Sequence, residues 1–342
     1  MKDRLQKFLP WVGYPVFYLV VFALFTRCTF PYESVRDRVV AEFEASQKQP
    51  GKRLEIDELR GHWLFGVKAE GVRLITEPPP KLGAADGEAP SPKVMAVDSL
   101  ALSVGLVKRL FGAWAVSYEA ELGGGVIEGT FFQNSERAEI VARAKDVGVA
   151  GLSVLEDLVE LPLGGELSGS LRLLLPEGKM SQAEGEVELA IADLSVGDGK
   201  AKIRDAIALP KLHAGALTLK AQAIEGRLNV QELSARGPDF ELQSEGNLRL
   251  REPFDVSLAD LNLGFKFTDA YMTRNDITKS LFGEPGSRVP GLFDMDPKIR
   301  RSKADDGYYR WKIAGPMARL NFRPAARAAN RAARTAEAEA AE

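Results

Sequence analysis

The chain has 342 residues, and its 45 basic and 48 acidic side chains give a formal net charge of -3. A balance this close to neutral argues against nucleic acid as the main partner. The single cysteine, Cys28, excludes an intramolecular disulfide, and the length fits one or two domains beyond a short terminal segment.

The stretch 8–26 contains no charged residue. At about 1.5 Å rise per residue, a helix of this length crosses the roughly 30 Å hydrocarbon core of a bilayer. The stretch therefore predicts a transmembrane anchor, whose aromatic side chains contact the lipid bilayer: Phe8, Trp11, Tyr14, Phe17, Tyr18, Phe22 and Phe25. The alternatives are a buried core helix and a cleaved signal peptide. The latter is disfavoured because the residues after the apolar run, LFTRCTFP, lack the small residues of a cleavage site.

The basic residues on either side of this span give its predicted orientation. Three of them lie in the segment 1–7 and three between Arg27 and Arg38, so the local counts are even. A short basic tail stays in the cytoplasm, whereas long domains translocate largely regardless of their charge. We therefore expect a cytoplasmic tail at 1–7, a single pass through the cell inner membrane, and the remaining chain in the periplasm.

A helix is predicted directly after the span. Val35, Val39 and Phe43 recur at four-residue spacing, with charged residues on the other faces. The sequence Gln49-Pro50-Gly51 ends the pattern. We expect a juxtamembrane helix over 31–49.

From residue 52 onward, apolar and polar residues alternate, which is typical of strands with one buried face. Turns such as Gly123-Gly124-Gly125 connect neighbouring strands, so the pattern predicts an antiparallel meander. The predicted segments are a β-rich domain at 52–322 with a loop at 77–92 and a helical or loop insertion at 269–303, then an Ala/Arg/Glu-rich tail at 323–342 that we expect to be frayed or disordered.

Leucines at alternating positions form the main apolar set of this domain. The pattern Gly-x-Leu-x-Leu recurs in several predicted strands. Two interpretations stay open: the leucines form the core of a β-sandwich, or one sheet curls into a groove that holds an apolar ligand. The candidate groove or core residues are Leu167, Leu171, Leu173, Leu189, Leu217, Leu219 and Leu248.

The sequence contains no recognisable catalytic or metal-binding motif. Its two histidines, His62 and His213, are too few for a zinc site with one cysteine, and no G-x-S-x-G motif is present. The carboxylates Asp294, Asp296, Asp305 and Asp306 lack the spacing of a calcium loop and are expected in turns or on the surface. We therefore predict no enzymatic activity and no cofactor.

The order of these parts resembles GspN, the N component of type II secretion systems. The resemblance rests on the basic tail, the apolar span, the L-x-I-x-x-L-x-G-x-W-x-x-G-V stretch at Leu54 to Val67, the Gly-Leu-x-Leu strands and the strand sequence Tyr-Arg-Trp-Lys-Ile-Ala-Gly-Pro near the C-terminus. The strand texture is also similar to that of AsmA-like proteins, whose periplasmic β regions are associated with lipid handling.

This resemblance implies an accessory inner-membrane component of a type II secretion system, whose β domain interacts with other secretion subunits. The alternative function is an AsmA-like envelope protein that binds or transfers phospholipid in an apolar β-groove. The expected fold class is mainly β: a single N-terminal transmembrane helix followed by an elongated, twisted antiparallel sheet, arranged as a groove or a sandwich, with a few short helices.

Overall fold

A computed structural model describes residues 30–46, 51–77 except 64, 92–105, 112–152, 161–198, 210–283 and 290–326, with isolated positions at 14–29, 108–109, 202–203 and 207–208. The protein is mainly β, with antiparallel strands and few helices. The chain divides into two compact units, one of residues 1–107 with 116–120, the other of residues 108–115 with 121–342.

The first unit contains helix α1 (Tyr32–Ser46) and strands β1 (Lys52–His62), β2 (Gly66–Thr76) and β3 (Lys93–Val104), together with the central part of β4 (Trp114–Leu122). β1, β2 and β3 are antiparallel neighbours. The Leu54–Val67 stretch forms the β1–β2 hairpin.

Ten strands of the second unit form one antiparallel meander. They are β5 (Gly125–Gln133), β6 (Arg137–Gly148), β7 (Leu163–Pro176), β8 (Glu184–Val196), β11 (Leu212–Ile224), β12 (Arg227–Arg236), β13 (Phe240–Arg249), β14 (Leu258–Phe267), β15 (Tyr309–Pro316) and β16 (Asn321–Pro324). β9 (Lys202–Ile203) and β10 (Ile207–Ala208) form a separate two-stranded ribbon, so β8 pairs with β11.

Four short helices occupy the predicted insertion at 269–303: α2 (Asp269–Met272), α3 (Asp276–Phe282), α4 (Leu292–Met295) and α5 (Pro297–Ser302). Helix α3 begins with a capping box in which the Asn275 side chain accepts from the Thr278 backbone N–H and the Thr278 hydroxyl accepts from the Asn275 N–H. This cap starts a new helix after α2, because the Ncap residue is non-helical.

The predicted fold class is wrong in its transmembrane helix. A span needs about 20 consecutive apolar residues in one helix. Among the described residues no helix is both long and apolar enough to cross a membrane. The longest helix with defined limits, α1, has 15 residues and is charged along its length. Of the predicted anchor residues, Tyr14, Phe17, Tyr18, Phe22 and Phe25 have exposed side chains, and Phe8 and Trp11 lie outside the described residues.

The other predicted segments are described to different extents. Helix α1 occupies most of the range 31–49. The predicted loop at 77–92 and the tail at 323–342 lie largely outside the described residues, as does the segment 1–7. Near the C-terminus, a short 3-10 helix, Met317–Arg319, joins β15 and β16.

Candidate functional site

All seven leucines predicted to line a groove or core lie on one face of the second unit's sheet. In an antiparallel sheet, residues directly opposite one another point to the same side, as do residues two apart in one strand. Leu167 on β7 and Leu217 on β11 both lie opposite Ile191 of β8. Leu189 of β8 lies opposite Leu219 of β11. Leu171, Leu173 and Leu248 continue the same face on β7 and β13.

This face continues to the last long strand. From Leu217 the row runs through Ala235, Leu242 and Phe265 to Tyr309. A parallel row runs from Leu219 through Leu233, Ser244 and Leu263 to Trp311. We call the side of the sheet that carries these rows the apolar face.

The opposite side of the same strands is polar. Along β8 the residues that alternate with the apolar set begin with Glu184, Glu186 and Glu188. Cross-strand ion pairs on this side include Lys220 with Glu232 at 3.9 Å and Lys312 with Asp260. The charged side chains therefore lie on one side of the sheet and the apolar side chains on the other. A ligand that binds the apolar face contacts few charged groups.

The middle of the apolar face is incompletely covered. Leu171, Leu189, Leu219, Leu233 and Leu263 are half-buried, as are the other predicted leucines. The buried residues of the apolar face include Ala221, Ser244 and Ile313, of which two have small side chains. Apart from the large sheet, the described part of the chain contains only the two-stranded ribbon β9–β10. Within that part, no second large sheet is present that could form the other half of a sandwich.

One end of the apolar face is closed by aromatic side chains from the helices. Phe267 of β14 contacts the ring of Phe282 with centroids 4.6 Å apart and the ring of Phe293 at 5.8 Å. The ring of Tyr271, on α2, stacks on Phe267 at 5.9 Å. These rings pack with Leu194, Leu212 and Leu281 in one buried cluster. The helical insertion thus acts as a plug at this end.

Buried polar groups fix the plug to the sheet. Asp239 is 1% exposed, accepts a hydrogen bond from the His213 backbone N–H at 2.8 Å, and pairs with the Arg274 guanidinium. The Tyr271 hydroxyl donates to the Pro210 carbonyl at 2.8 Å. Burial raises the pKa of Tyr271 to about 12. A neutral phenol is therefore part of the native packing across the ordinary pH range.

A hydrogen bond from β15 also holds the plug, and an ion pair within the insertion uses the same carboxylate. The Tyr309 hydroxyl donates to Asp294 at 2.8 Å, and Lys303 approaches the same carboxylate at 2.6 Å. Burial, followed by the hydrogen bond to Asp294, raises the pKa of Tyr309. Asp294 is thus an anchoring residue of the plug.

The other end of the apolar face is closed by a second buried cluster. Ala138, Leu175, Ala183 and Leu250 are buried there, and Leu228, Leu248 and other half-buried residues pack against them. Met180, in the short 3-10 helix that follows β7, also contacts this cluster. The uncovered rows therefore lie between two closed ends.

The remaining predicted residues take structural positions. Asp296 caps α5 by accepting from the Lys298 N–H at 2.7 Å, and Asp306 accepts from the Tyr308 N–H at 3.0 Å. His213 is exposed and its backbone N–H binds Asp239, whereas His62 ends β1. Among the residues described, no group of His, Cys, Asp and Glu side chains is arranged to hold a metal ion.

No local sequence pattern indicates the plug. Phe267 ends a strand, but its ring partners Phe282 and Phe293 come from an insertion without strand pattern. The Asp239–Arg274 pair joins residues 35 positions apart and has no local signal.

Comparisons with known proteins leave the geometry as the basis for function. No family model matches the chain, and neither the curated proteins nor the solved structures contain a match. The fold defines a β-meander protein with one polar and one apolar sheet face, and the resemblance to GspN and to AsmA-like proteins stays a prediction.

Proposed function

We propose that the second unit binds the acyl chains of a lipid on its apolar face. The observation that carries this proposal is the set of half-buried leucines between two closed ends of the sheet. Removing apolar surface from water contributes roughly 25 cal/mol per Å². Large contiguous apolar patches on a folded protein usually mark a binding site.

The chemistry of the central rows favours hydrocarbon over a polar ligand. The rows consist of Leu, Val, Ala, Gly, Ile and Phe residues, with Ser244, the indole N–H of Trp311 and the hydroxyl of Tyr309 as polar exceptions. Acyl chains need no hydrogen-bond partners, so they fit a surface that offers almost none. The charged side chains of the same strands point to the other side of the sheet.

The predicted place of this protein in a type II secretion system is a separate proposal. It rests on the sequence resemblance and on the same strand pattern, and it implies an inner-membrane and periplasmic location with secretion subunits as partners. An apolar face that docks a subunit would also keep its leucines out of water. The experiment below distinguishes the two occupants.

The test is photo-cross-linking from two adjacent positions of β8. A photoreactive residue at Leu189 lies on the apolar face, and one at Ala190 lies on the polar face, where Ala190 is exposed. The full chain is expressed in its native host, irradiated, and analysed by mass spectrometry for attached lipid and attached protein. We expect phospholipid attached at position 189 and at least tenfold less at position 190.

Equal lipid capture at the two positions would contradict the proposal, since it would show only non-specific contact with membranes. Capture of protein alone from position 189 would also overturn it and would favour the secretion-subunit interpretation. A second photoreactive residue at Leu219, opposite Leu189 on β11, measures lipid capture from a neighbouring strand. Capture at both positions would show that the result is not caused by local misfolding at residue 189.

A further inference from the structure

Three arginines converge at the end of the sheet that carries the second buried cluster. Arg227 is the first residue of β12 and Arg249 is the last residue of β13, and they lie directly opposite one another in the antiparallel register. Arg251 follows two residues after Arg249. All three line one pocket of about 410 Å³ with Ser181, Glu225 and Leu250.

The pocket is held by main-chain hydrogen bonds. The Leu250 N–H donates to the Gly226 carbonyl at 2.7 Å, and the Gly226 N–H donates to the Ala183 carbonyl at 3.0 Å. The Arg251 N–H donates at 2.9 Å to the hydroxyl of Ser257, whose side chain is fully buried. The backbone that carries the arginines is therefore fixed before any ligand binds, which reduces the ordering cost of binding.

The charge in this pocket is unbalanced. Like charges directly opposite each other in a sheet are destabilising. Within the described part of the chain, no carboxylate forms an ion pair with Arg227, Arg249 or Arg251. The lining holds three guanidinium groups and one carboxylate, that of Glu225, so positive charge exceeds negative charge by two.

We propose that Arg227, Arg249 and Arg251 form a binding site for a phosphate group. Guanidinium groups bind phosphate oxygens through paired N–H donors, and an anion between Arg227 and Arg249 removes their mutual repulsion. The phosphate belongs either to a free phosphorylated solute or to a lipid headgroup. Leu250 lines the pocket and packs with Leu228 and Leu248, so the pocket lies at the end of the sheet that the second buried cluster closes. The register places Arg227 and Arg249 on the polar side there.

This site does not depend on the lipid proposal. Its three arginines lie at or next to strand ends, and they can bind a phosphate group whether or not an acyl chain occupies the apolar face. The test therefore uses two probes with the full chain. Inorganic phosphate is titrated calorimetrically in a phosphate-free buffer, and flotation is measured with phosphatidylcholine vesicles that contain or lack phosphatidic acid.

We expect Arg249→Gln and Arg251→Gln each to weaken binding of the effective probe by about tenfold or more, since a hydrogen bond to a charged group contributes that much. The matched control is Arg236→Gln, at the other end of β12, where the register places Glu241 opposite. It is expected to bind like the wild type. Glu225→Gln removes the competing carboxylate and is expected to tighten binding.

The melting temperature provides a second test, because Arg249→Gln is expected to change it differently without and with phosphate. Without phosphate, Arg249→Gln is expected to melt no lower than the wild type because it removes a like-charge contact. With phosphate, the wild type and Arg236→Gln gain in melting temperature, whereas Arg249→Gln gains less or nothing. Binding of inorganic phosphate identifies a free solute as a sufficient ligand, whereas binding only to phosphatidic acid vesicles identifies a headgroup.

Absence of binding to both probes, or equal binding by the wild type and Arg249→Gln, would overturn the phosphate site. Either result leaves the acyl-chain proposal standing, because photo-cross-linking at Leu189 measures occupancy of the apolar face independently. Conversely, a lack of lipid cross-linking at Leu189 together with intact phosphate binding would contradict the acyl-chain proposal and support the phosphate site.

Discussion

Asp239 is the residue on which the attachment of the helical plug most depends. Its carboxylate is buried, yet it has two partners: the His213 N–H and the Arg274 guanidinium. Arg274 also donates to the Lys211 carbonyl at 3.0 Å and lies over the Tyr271 ring, 5.1 Å from its centroid. One carboxylate therefore joins β11, β13 and the α2–α3 connection.

Replacing Asp239 by Asn tests this role. Asn keeps the size and one acceptor but leaves Arg274 without its counter-charge, so we expect the free energy of unfolding to fall by roughly 2–4 kcal/mol. Asp260→Asn is the matched control, because Asp260 pairs with Lys312 and is 56% exposed. We expect a loss below about 1 kcal/mol there. Urea denaturation measures both, and equal losses would contradict a special role for Asp239.

Two turns of the second unit have the same local conformation and different surroundings. Glu177-Gly178 and Glu225-Gly226 both have positive φ at each residue, with Gly178 at +71° and Gly226 at +72°. A Cβ on Gly178 would have no atom within 4 Å, whereas a Cβ on Gly226 would lie 2.2 Å from the Ser181 carbonyl oxygen. Comparing the two glycines therefore separates the energetic cost of a steric clash from the cost of the left-handed backbone conformation, which both positions share.

The substitution of each glycine by alanine is therefore predicted to differ in cost. Gly178→Ala is expected to lower the unfolding free energy by about 1–2 kcal/mol, the cost of a left-handed conformation with a Cβ. Gly226→Ala is expected to lower it by about 2 kcal/mol more, since backbone must move. Chemical denaturation of both variants gives the comparison. A smaller loss for Gly226→Ala than for Gly178→Ala would show that this contact is not tight.

Elements with a regular pattern were predicted well, and elements set by caps were not. The alternating segments around β7, β8 and β11 form strands, as the pattern predicts. The insertion at 269–303 was predicted only as helix or loop, and the pattern did not indicate the break between α2 and α3 that the Asn275 cap makes. A cap competes with helix propagation through a specific hydrogen bond, which a periodicity search does not detect.

At the scale of the whole second unit, the strands in chain order align their apolar sets into one face. Each hairpin transmits the register to the next strand, so a leucine on β7 and a phenylalanine on β14 share a side. β-Bulges between several neighbouring pairs shift the register without reversing the faces. The unit is thereby amphipathic as a sheet, in addition to having two buried clusters.

Because of a buried tyrosine in the plug, the free energy of unfolding of this unit is expected to decrease at alkaline pH. Burial raises the pKa of Tyr271 from its ordinary 10.0 to about 12, so the folded state holds its proton more tightly than the unfolded state. The resulting stabilisation is present below pH 10 and is lost as the pH rises toward 12. We expect unfolding free energy to fall more steeply over this window in the wild type than in Tyr271→Phe, by about 2 kcal/mol in total.

Urea denaturation at several pH values measures this slope. Tyr14→Phe, at a side chain that is 66% exposed, is the control and is expected to keep the wild-type slope. Equal slopes for the wild type and Tyr271→Phe would show that the buried phenol does not govern the alkaline transition.

The sequence alone determined the local periods of this protein: the strand-rich domain, its turns, and the leucines that alternate with polar residues within one strand. Those features depend on residues a few positions apart, where alternation and turn chemistry act directly. The sequence misled where an apolar stretch was taken as a transmembrane helix of the fold. Only the tertiary structure decided which rows stay half-buried, how Phe267 meets Phe282 and Phe293, and that Arg227 lies opposite Arg249. These contacts depend on strand register and on long-range packing, which local patterns do not encode.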